Sequence, residues 1–260
     1  MTKTDIEQDS LFSAPYTLSC EHITKTFNNI PVIEDISLFL PKHGCISLLG
    51  PSGVGKTTLF NVLSGVEKPD SGNVYLNGEV SADIRGKVSY MLQKDLLLEY
   101  RTVLDNVILP LLIRGEKKNH ARQYAARFFP RFGLSGYEKN YPNELSGGMR
   151  QRAALLRTCM MRNPVILLDE PFSALDAITR RAMQSWYVEI AAQMEFSTLF
   201  ITHDVEEALI LSDTVYIMNG KPGKITHKSE VQPNSAKDAG FTVSKEFIEQ
   251  KKFILDAIGV

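Results

Sequence analysis

The residues best suited to chemistry begin with one glycine-rich run. Gly50-Pro51-Ser52-Gly53-Val54-Gly55-Lys56-Thr57 fills the pattern GxxxxGK[ST], and Thr58 extends it by one hydroxyl. Glycines let backbone N–H groups converge on phosphate oxygens with no Cβ in the way. Lys56 would then meet the β- and γ-phosphates of a nucleoside triphosphate, and the Thr57 hydroxyl would ligate Mg²⁺. A helix opening after the loop adds its positive end to the same anion. The bland alternative is a glycine turn beside a surface lysine. The apolar strand-like run before the loop and the helix-like run after it argue against that.

A second run, Val165-Ile166-Leu167-Leu168-Asp169-Glu170, ends a continuous apolar stretch on two carboxylates. An acidic residue at the end of a buried parallel strand lies where open α/β sheets bind ligands. Asp169 suits Mg²⁺, usually through water, and Glu170 could orient or deprotonate an attacking water. Alone, two carboxylates after a strand are more often a solvated loop; beside a phosphate loop they point to triphosphate chemistry. A third run, Leu145-Ser146-Gly147-Gly148-Met149-Arg150-Gln151-Arg152, is a Ser-Gly-Gly turn opening a helix, a second anion-binding N-terminus.

With these three runs in order, the chain resembles the nucleotide-binding subunits of ABC transporters. LSGGMRQR is a near-verbatim match to their signature sequence and precedes the second run as it does there. The resemblance covers about residues 18–225 and brings further positions with it. Phe27 matches the aromatic that stacks on adenine, where family members often have Tyr. Gln93 matches the glutamine that meets Mg²⁺ and water and senses the membrane partner. Asp176, in Ser173-Ala174-Leu175-Asp176, matches the loop that crosses to the second subunit. His203 matches the histidine that contacts the γ-phosphate. The resemblance implies a P-loop α/β fold with a mainly parallel core sheet, an N-terminal antiparallel β subdomain and a helical subdomain at about 101–163. It also implies an N-terminal extension over 1–17 and a helical tail over 226–260.

Mechanistically it implies a head-to-tail dimer that closes on ATP. Ser146, Gly147, Gly148 and Asp176 would act in trans, and Lys56, Gln93, Glu170 and His203 would serve hydrolysis, with Thr57, Gln93 and Asp169 around Mg²⁺. The partners implied are a second copy or a homologous ATPase, an integral membrane permease and a solute-binding protein, at the cytoplasmic face of the membrane. Arg101-Thr102-Val103-Leu104-Asp105-Asn106-Val107 and the run from Tyr216 to Ile225 resemble the nitrate/sulfonate/taurine group of importers. That group typically has Pro-Trp where this chain has Glu99-Tyr100. The alternatives are an ABC export or lipid-release ATPase, or a non-transport ABC ATPase acting on DNA or ribosomes. The Leu96 to Tyr100 stretch is read either as part of a groove for a permease helix or as core.

These residues need elements to hold them. Cys45 to Leu49 predicts a strand into the phosphate loop, and Thr58 to Leu63 the helix after it. Val74 to Val80 alternates around Asn77-Gly78, a hairpin signal. Ala121 to Phe132 and Met149 to Met161 have helical spacing, the second stopped by Pro164. Val165–Leu168, Thr198–Ile201 and Val215–Met218 read as strands, the first two covered on both faces. From Phe241 the tail reads as an amphipathic helix with Phe247, Ile248, Leu255 and Ile258 on one side.

The composition fits this picture. The chain has 260 residues, 43% of them hydrophobic and 23% charged, which excludes a disordered or rod-like whole. Its net charge of -1 argues against a nucleic-acid partner. Cys20, Cys45 and Cys159 have no metal-like spacing and read as reduced, buried thiols. The polar start, Met1 to Ser10, does not look like a secretory signal. The most apolar stretch, Val107 to Ile113, holds Pro110 and is far too short to span a bilayer. The spanning subunits are therefore expected on separate chains. Little sequence follows Gly220, so the regulatory barrel of sugar-importer subunits is not expected.

Overall fold

A computed structural model describes residues 16–231 and 240–259 of the chain. The polar start Met1–Ser10, most of the 1–17 extension and part of the 226–260 tail lie outside those residues. The chain divides into two units, Met1–Val88 with Phe196–Val260, and Ser89–Glu195.

The first unit contains two sheets. In the antiparallel one, β1 (Tyr16–Phe27) pairs with β2 (Ile30–Pro41) on one side and β4 (Ser71–Leu76) on the other, and β5 (Glu79–Val80) completes it. The β1–β2 turn is Asn28-Asn29, both left-handed at φ 49° and 62°, a conformation that asparagine tolerates and that matches strand twist. The β4–β5 turn is the expected Asn77-Gly78, again with both φ positive. Leu18, Cys20 and Ile23 of β1 and Ile36, Leu38 and Leu40 of β2 are fully buried and form the core of this sheet.

The other strands of this unit are mainly parallel. β3 (Cys45–Leu49) lies between β8 (Ser197–Thr202) and β9 (Thr214–Asn219), parallel to both, and β10 (Lys224–Glu230) runs antiparallel to β9. Every residue of β3 and β8 is buried, which is why both read as unbroken runs rather than alternation. Helix α1 (Lys56–Ser64) follows β3 and ends at Gly65, whose φ of 80° lets its N–H return to the Val62 carbonyl. Helix α7 (Val205–Leu211) starts on Asp204, whose carboxylate accepts from the Glu206 and Glu207 N–H groups.

The tail helix α8 (Lys245–Ile258) packs Phe247 and Ile254 into a cluster with Leu49, Leu209, Ile217 and Phe241. Leu255 and Ile258 lean on that cluster, whereas Ile248 is 60% exposed. The expected apolar side therefore loses Ile248 and gains Ile254. The inward stripe runs through 247 and 254, one heptad apart, and 248 sits off its edge.

In the second unit β6 (Ser89–Met91) pairs in parallel with β7 (Val165–Asp169). Its helices are α2 (Val103–Val107), α3 (Leu109–Ile113), α4 (Lys118–Ala126), α5 (Gly147–Cys159) and α6 (Ala177–Met194). Pro110 stands in the first turn of α3, where its missing N–H costs nothing. The helix expected over Ala121–Phe132 stops at Ala126. Phe128 and Phe129 donate three residues back, to Ala125 and Ala126, and the chain turns at Gly133 with φ 64°. Pro130 explains this, because it disfavours helical backbone at Phe129 and supplies no N–H. Helix α5 starts at its Ser146 cap and ends at Cys159, two residues short of the expected Met161. No helix among the described residues is long and apolar enough to cross a membrane.

Candidate nucleotide site

The phosphate loop lies in the first unit, between β3 and α1. Its glycines are there for physical reasons. A Cβ on Gly50 would fall 2.2 Å from the Met218 carbonyl oxygen, and one on Gly55 2.5 Å from Ile33 Cγ2. Gly53 and Gly55 have φ of 78° and 106°, so an L side chain at either would be strained. Val54 is buried beneath the loop, while Pro51, Ser52, Gly53 and Thr57 face solvent. Lys56 is only 6% exposed, and its ammonium donates to the carbonyls of Gly50 at 2.7 Å and Pro51 at 2.9 Å. The lysine thus lies along the loop it belongs to. The first N–H groups of α1 have no side-chain cap, since Gly55 is its N-cap residue. The loop thus brings together backbone N–H groups, a helix start, a lysine and the Thr57 hydroxyl, the groups that bind a triphosphate in loops of this kind.

Two other expected residues lie in the same unit. Leu49 pairs with Thr202 across the parallel β3–β8 ladder, so His203 leaves β8 level with Gly50 at the start of the loop. Its side chain is exposed. Phe27 ends β1 with its ring 40% exposed, and the Lys25 ammonium sits 5.3 Å from the ring centroid. Lys25 is also paired with Asp70 at 3.1 Å.

In the second unit the β6–β7 pairing matches Met91 with Leu168, so the two strands end side by side. Gln93 follows one strand and Glu170 the other, and Gln93 Nε2 donates to Glu170 Oε2 at 2.9 Å. Asp169 is the last residue of β7 and 7% exposed. The Tyr90 hydroxyl donates to its Oδ2 at 3.4 Å. Burial and the neighbouring Asp169 charge push the Tyr90 phenol up, which keeps it protonated as a donor. Glu170 has φ 45°, a left-handed backbone uncommon for glutamate.

The signature run opens α5. Ser146 caps it by accepting from Met149 N–H at 3.3 Å, and its side chain is exposed. Gly148 is buried, with Thr179 Cγ2 3.1 Å from where its Cβ would be, so α6 packs tightly there. Gly147 is partly exposed. Asp176 caps α6, accepting from Ile178 and Thr179 N–H at 3.1 and 3.0 Å. Those bonds, the Thr179 contribution first, hold its carboxyl below the ordinary value of 3.8.

No group of three or more His, Cys, Asp or Glu able to hold a metal occurs among the described residues. Mg²⁺ keeps most of its waters and takes one or two protein oxygens besides phosphate. The Thr57 hydroxyl and the Asp169 carboxylate are donors of that kind. Sequence reasoning missed Tyr90 and Gln151. Tyr90 stands three residues before Gln93 with nothing local to mark it, and Gln151 lay unremarked inside the signature run.

Against known proteins, the family model described as "ABC transporter" matches residues 33–173. The formylaminopyrimidine import ATP-binding protein ThiZ of Halalkalibacterium halodurans is 45% identical over 192 residues, covering 74% of this chain and 75% of that protein. The aliphatic sulfonates import ATP-binding protein SsuB 1 of Shouchella clausii is 37% identical over 248 residues, covering 95% and 93%. Among solved structures, the dimeric ATP-binding cassette MJ0796 bound to ADP and Pi aligns with a TM-score of 0.72 at 26% identity, covering 83% of this chain and 99% of that one. A phosphate loop built as described, together with relatives that match over most of their length, places the chain in the ABC transporter ATP-binding family, as an ATP hydrolase of that type.

Proposed function

We propose that this chain powers solute import through a separate membrane permease, binding and hydrolysing ATP in a head-to-tail dimer. Lys56 meets the β- and γ-phosphates, the backbone donors from Gly50 to Thr58 surround them, and Phe27 offers its ring face to adenine. The Thr57 hydroxyl and Asp169, with Gln93 beside them, would hold Mg²⁺, which would supply positive charge to the phosphate oxygens. Glu170 accepts the proton of the attacking water, and His203 donates to the γ-phosphate. Ser146 and Gly147, at the start of α5, and Asp176 act on the nucleotide of the partner subunit, with Gly148 allowing the close approach. Because each site then needs both chains, ATP closes the dimer and hydrolysis releases it.

The observation that carries the hydrolytic reading is the pairing of Gln93 with Glu170 at 2.9 Å, directly after the buried Asp169. It sets a carboxylate that can take a proton beside one that can serve a metal. Import is supported by the names of the sulfonate and formylaminopyrimidine relatives, and a sulfonate-like small solute is the substrate class we infer. The partners are a polytopic permease, docking near Leu96 to Tyr100, and a solute-binding protein; the dimer works at the cytoplasmic membrane face. Leu96 and Tyr100 are 52% and 75% exposed, which suits docking, whereas Leu97 is 7% exposed and belongs to the core.

The test is affinity purification of the tagged chain from native membranes, with its companions identified by mass spectrometry. A polytopic permease with a solute-binding protein is the expected result. Recovery with ribosomes or DNA-repair proteins and no membrane subunit would overturn the transport reading.

A further inference from the structure

The backbone of Glu170 is held in place from several sides. Its φ of 45° is left-handed, a region that L side chains rarely adopt, and Pro171 follows it. Ser173 ties down the Glu170 carbonyl with both its N–H, at 3.2 Å, and its hydroxyl, at 3.0 Å. The next carbonyl, that of Pro171, accepts from Gln151 Nε2 at 2.6 Å. Gln151 stands on α5, is 5% exposed, and shares an apolar pocket with Met91, Leu155, Leu168, Phe172 and Tyr187. Its Oε1 is buried and has no hydrogen-bond partner among the described residues.

Packing alone does not explain this side chain. A methionine fills nearly the same volume and carries no stranded polar atom of its own, at the loss only of the bond to the Pro171 carbonyl. The amide keeps one bond, and that bond goes to the peptide next to Glu170. We propose that Gln151 is a positioning residue for hydrolysis, which acts by fixing the Pro171 carbonyl and through it the aim of the Glu170 carboxylate. This rests on the reading of Glu170 as the base. Gln151 lies one helical turn after Gly147, the first residue of α5. The helix that meets the partner's nucleotide in the proposed dimer therefore also holds the base of its own chain.

The test compares Gln151→Met and Gln151→Glu with the unaltered full-length chain, measuring kcat and KM for Mg–ATP across pH, alongside thermal melting. In Gln151→Met, kcat should fall about tenfold or more while KM stays within about twofold, because a misaimed base affects the chemical step and not nucleotide binding. In Gln151→Glu, a protonated carboxyl can still donate its O–H to the Pro171 carbonyl, whereas the carboxylate cannot. Its rate relative to the unaltered chain should therefore drop as pH rises through the titration of the new carboxyl. Should Gln151→Met melt early, the pH profile of Gln151→Glu decides alone.

Full turnover in a stable Gln151→Met, or a Gln151→Glu profile parallel to that of the unaltered chain, would overturn the proposal. Glu170→Gln, measured in parallel, separates the two ideas. If it stops turnover while Gln151→Met does not, the base stands and only the positioning role falls. If it turns over normally, the base reading falls and the proposal falls with it.

Discussion

Glu170 combines a carboxylate, a left-handed backbone and a hydrogen bond from Gln93 within one residue. Backbone strain of this kind persists only where neighbours over-determine it, and here Ser173 and Gln151 do so. Replacing Glu170 with Gln removes the proton acceptor and keeps the shape. Steady-state hydrolysis should fall about 10²-fold or more, with nucleotide binding retained, as read by phosphate release and by equilibrium binding. Near-normal turnover would sink the base assignment. At this scale the residues proposed for the chemistry are legible in the sequence, because Gly50 to Thr58, Asp169 and Glu170 fall in contiguous runs. Tyr90, 79 positions from Asp169, and Gln151, 20 from Pro171, are not. Their partners are fixed by the β6–β7 pairing and by the seating of α5, and no spacing rule shows a bond made across the fold.

The elements that aim these residues depend on a few buried polar side chains. Asn106 is fully buried in α2. It accepts from Leu98 N–H at 2.6 Å and donates to the carbonyls of Leu98, Arg101 and Thr102 at 3.0, 3.1 and 3.0 Å. It thereby closes the loop that runs from Gln93 toward α2. Asn106→Ala takes the side-chain partner from the Leu98 N–H and the Arg101 carbonyl, while the Leu98 and Thr102 carbonyls keep the backbone N–H groups of residues 101 and 106, and it should cost about 1–3 kcal/mol in a denaturant melt. A loss below about 0.5 kcal/mol would mean that water replaces the amide freely.

The start of α5 gives a second test at this scale. Ser146→Arg removes a cap, worth about 1 kcal/mol, and sets a bulky cation where the helix start is exposed. Hydrolysis should stop while the single chain still binds ATP; an unchanged rate would reject action in trans. Element positions were mostly legible. β3, β7 and β8 are buried on both faces around apolar runs and α5 announces itself by Ser146, so each came within a residue or two. The end of α4 was not, although Pro130 carried the signal, because helical spacing through Phe128, Phe129 and Phe132 outweighed it. Ile248 was misplaced for a related reason, since spacing finds a stripe but only packing selects its edge.

For the whole molecule, nucleotide is expected to act as a stabiliser and as a dimerising ligand. Mg–ATP at 100 times its Kd should raise unfolding stability by about 2.7 kcal/mol, visible as a higher melting temperature. Lys56→Ala should lose most of that shift, since Lys56 is the cation of the loop proposed to bind phosphate; a full shift in the variant would contradict that role. The central claim is that ATP joins two copies of this chain, each supplying what the other's site lacks. The most direct measurement is light scattering after size-exclusion chromatography on Glu170→Gln, with and without Mg–ATP. The account predicts twice the 29.1 kDa chain mass with Mg–ATP and collapse of that species in the Glu170→Gln/Ser146→Arg double variant. A single-chain mass at saturating, demonstrably bound ATP would contradict it.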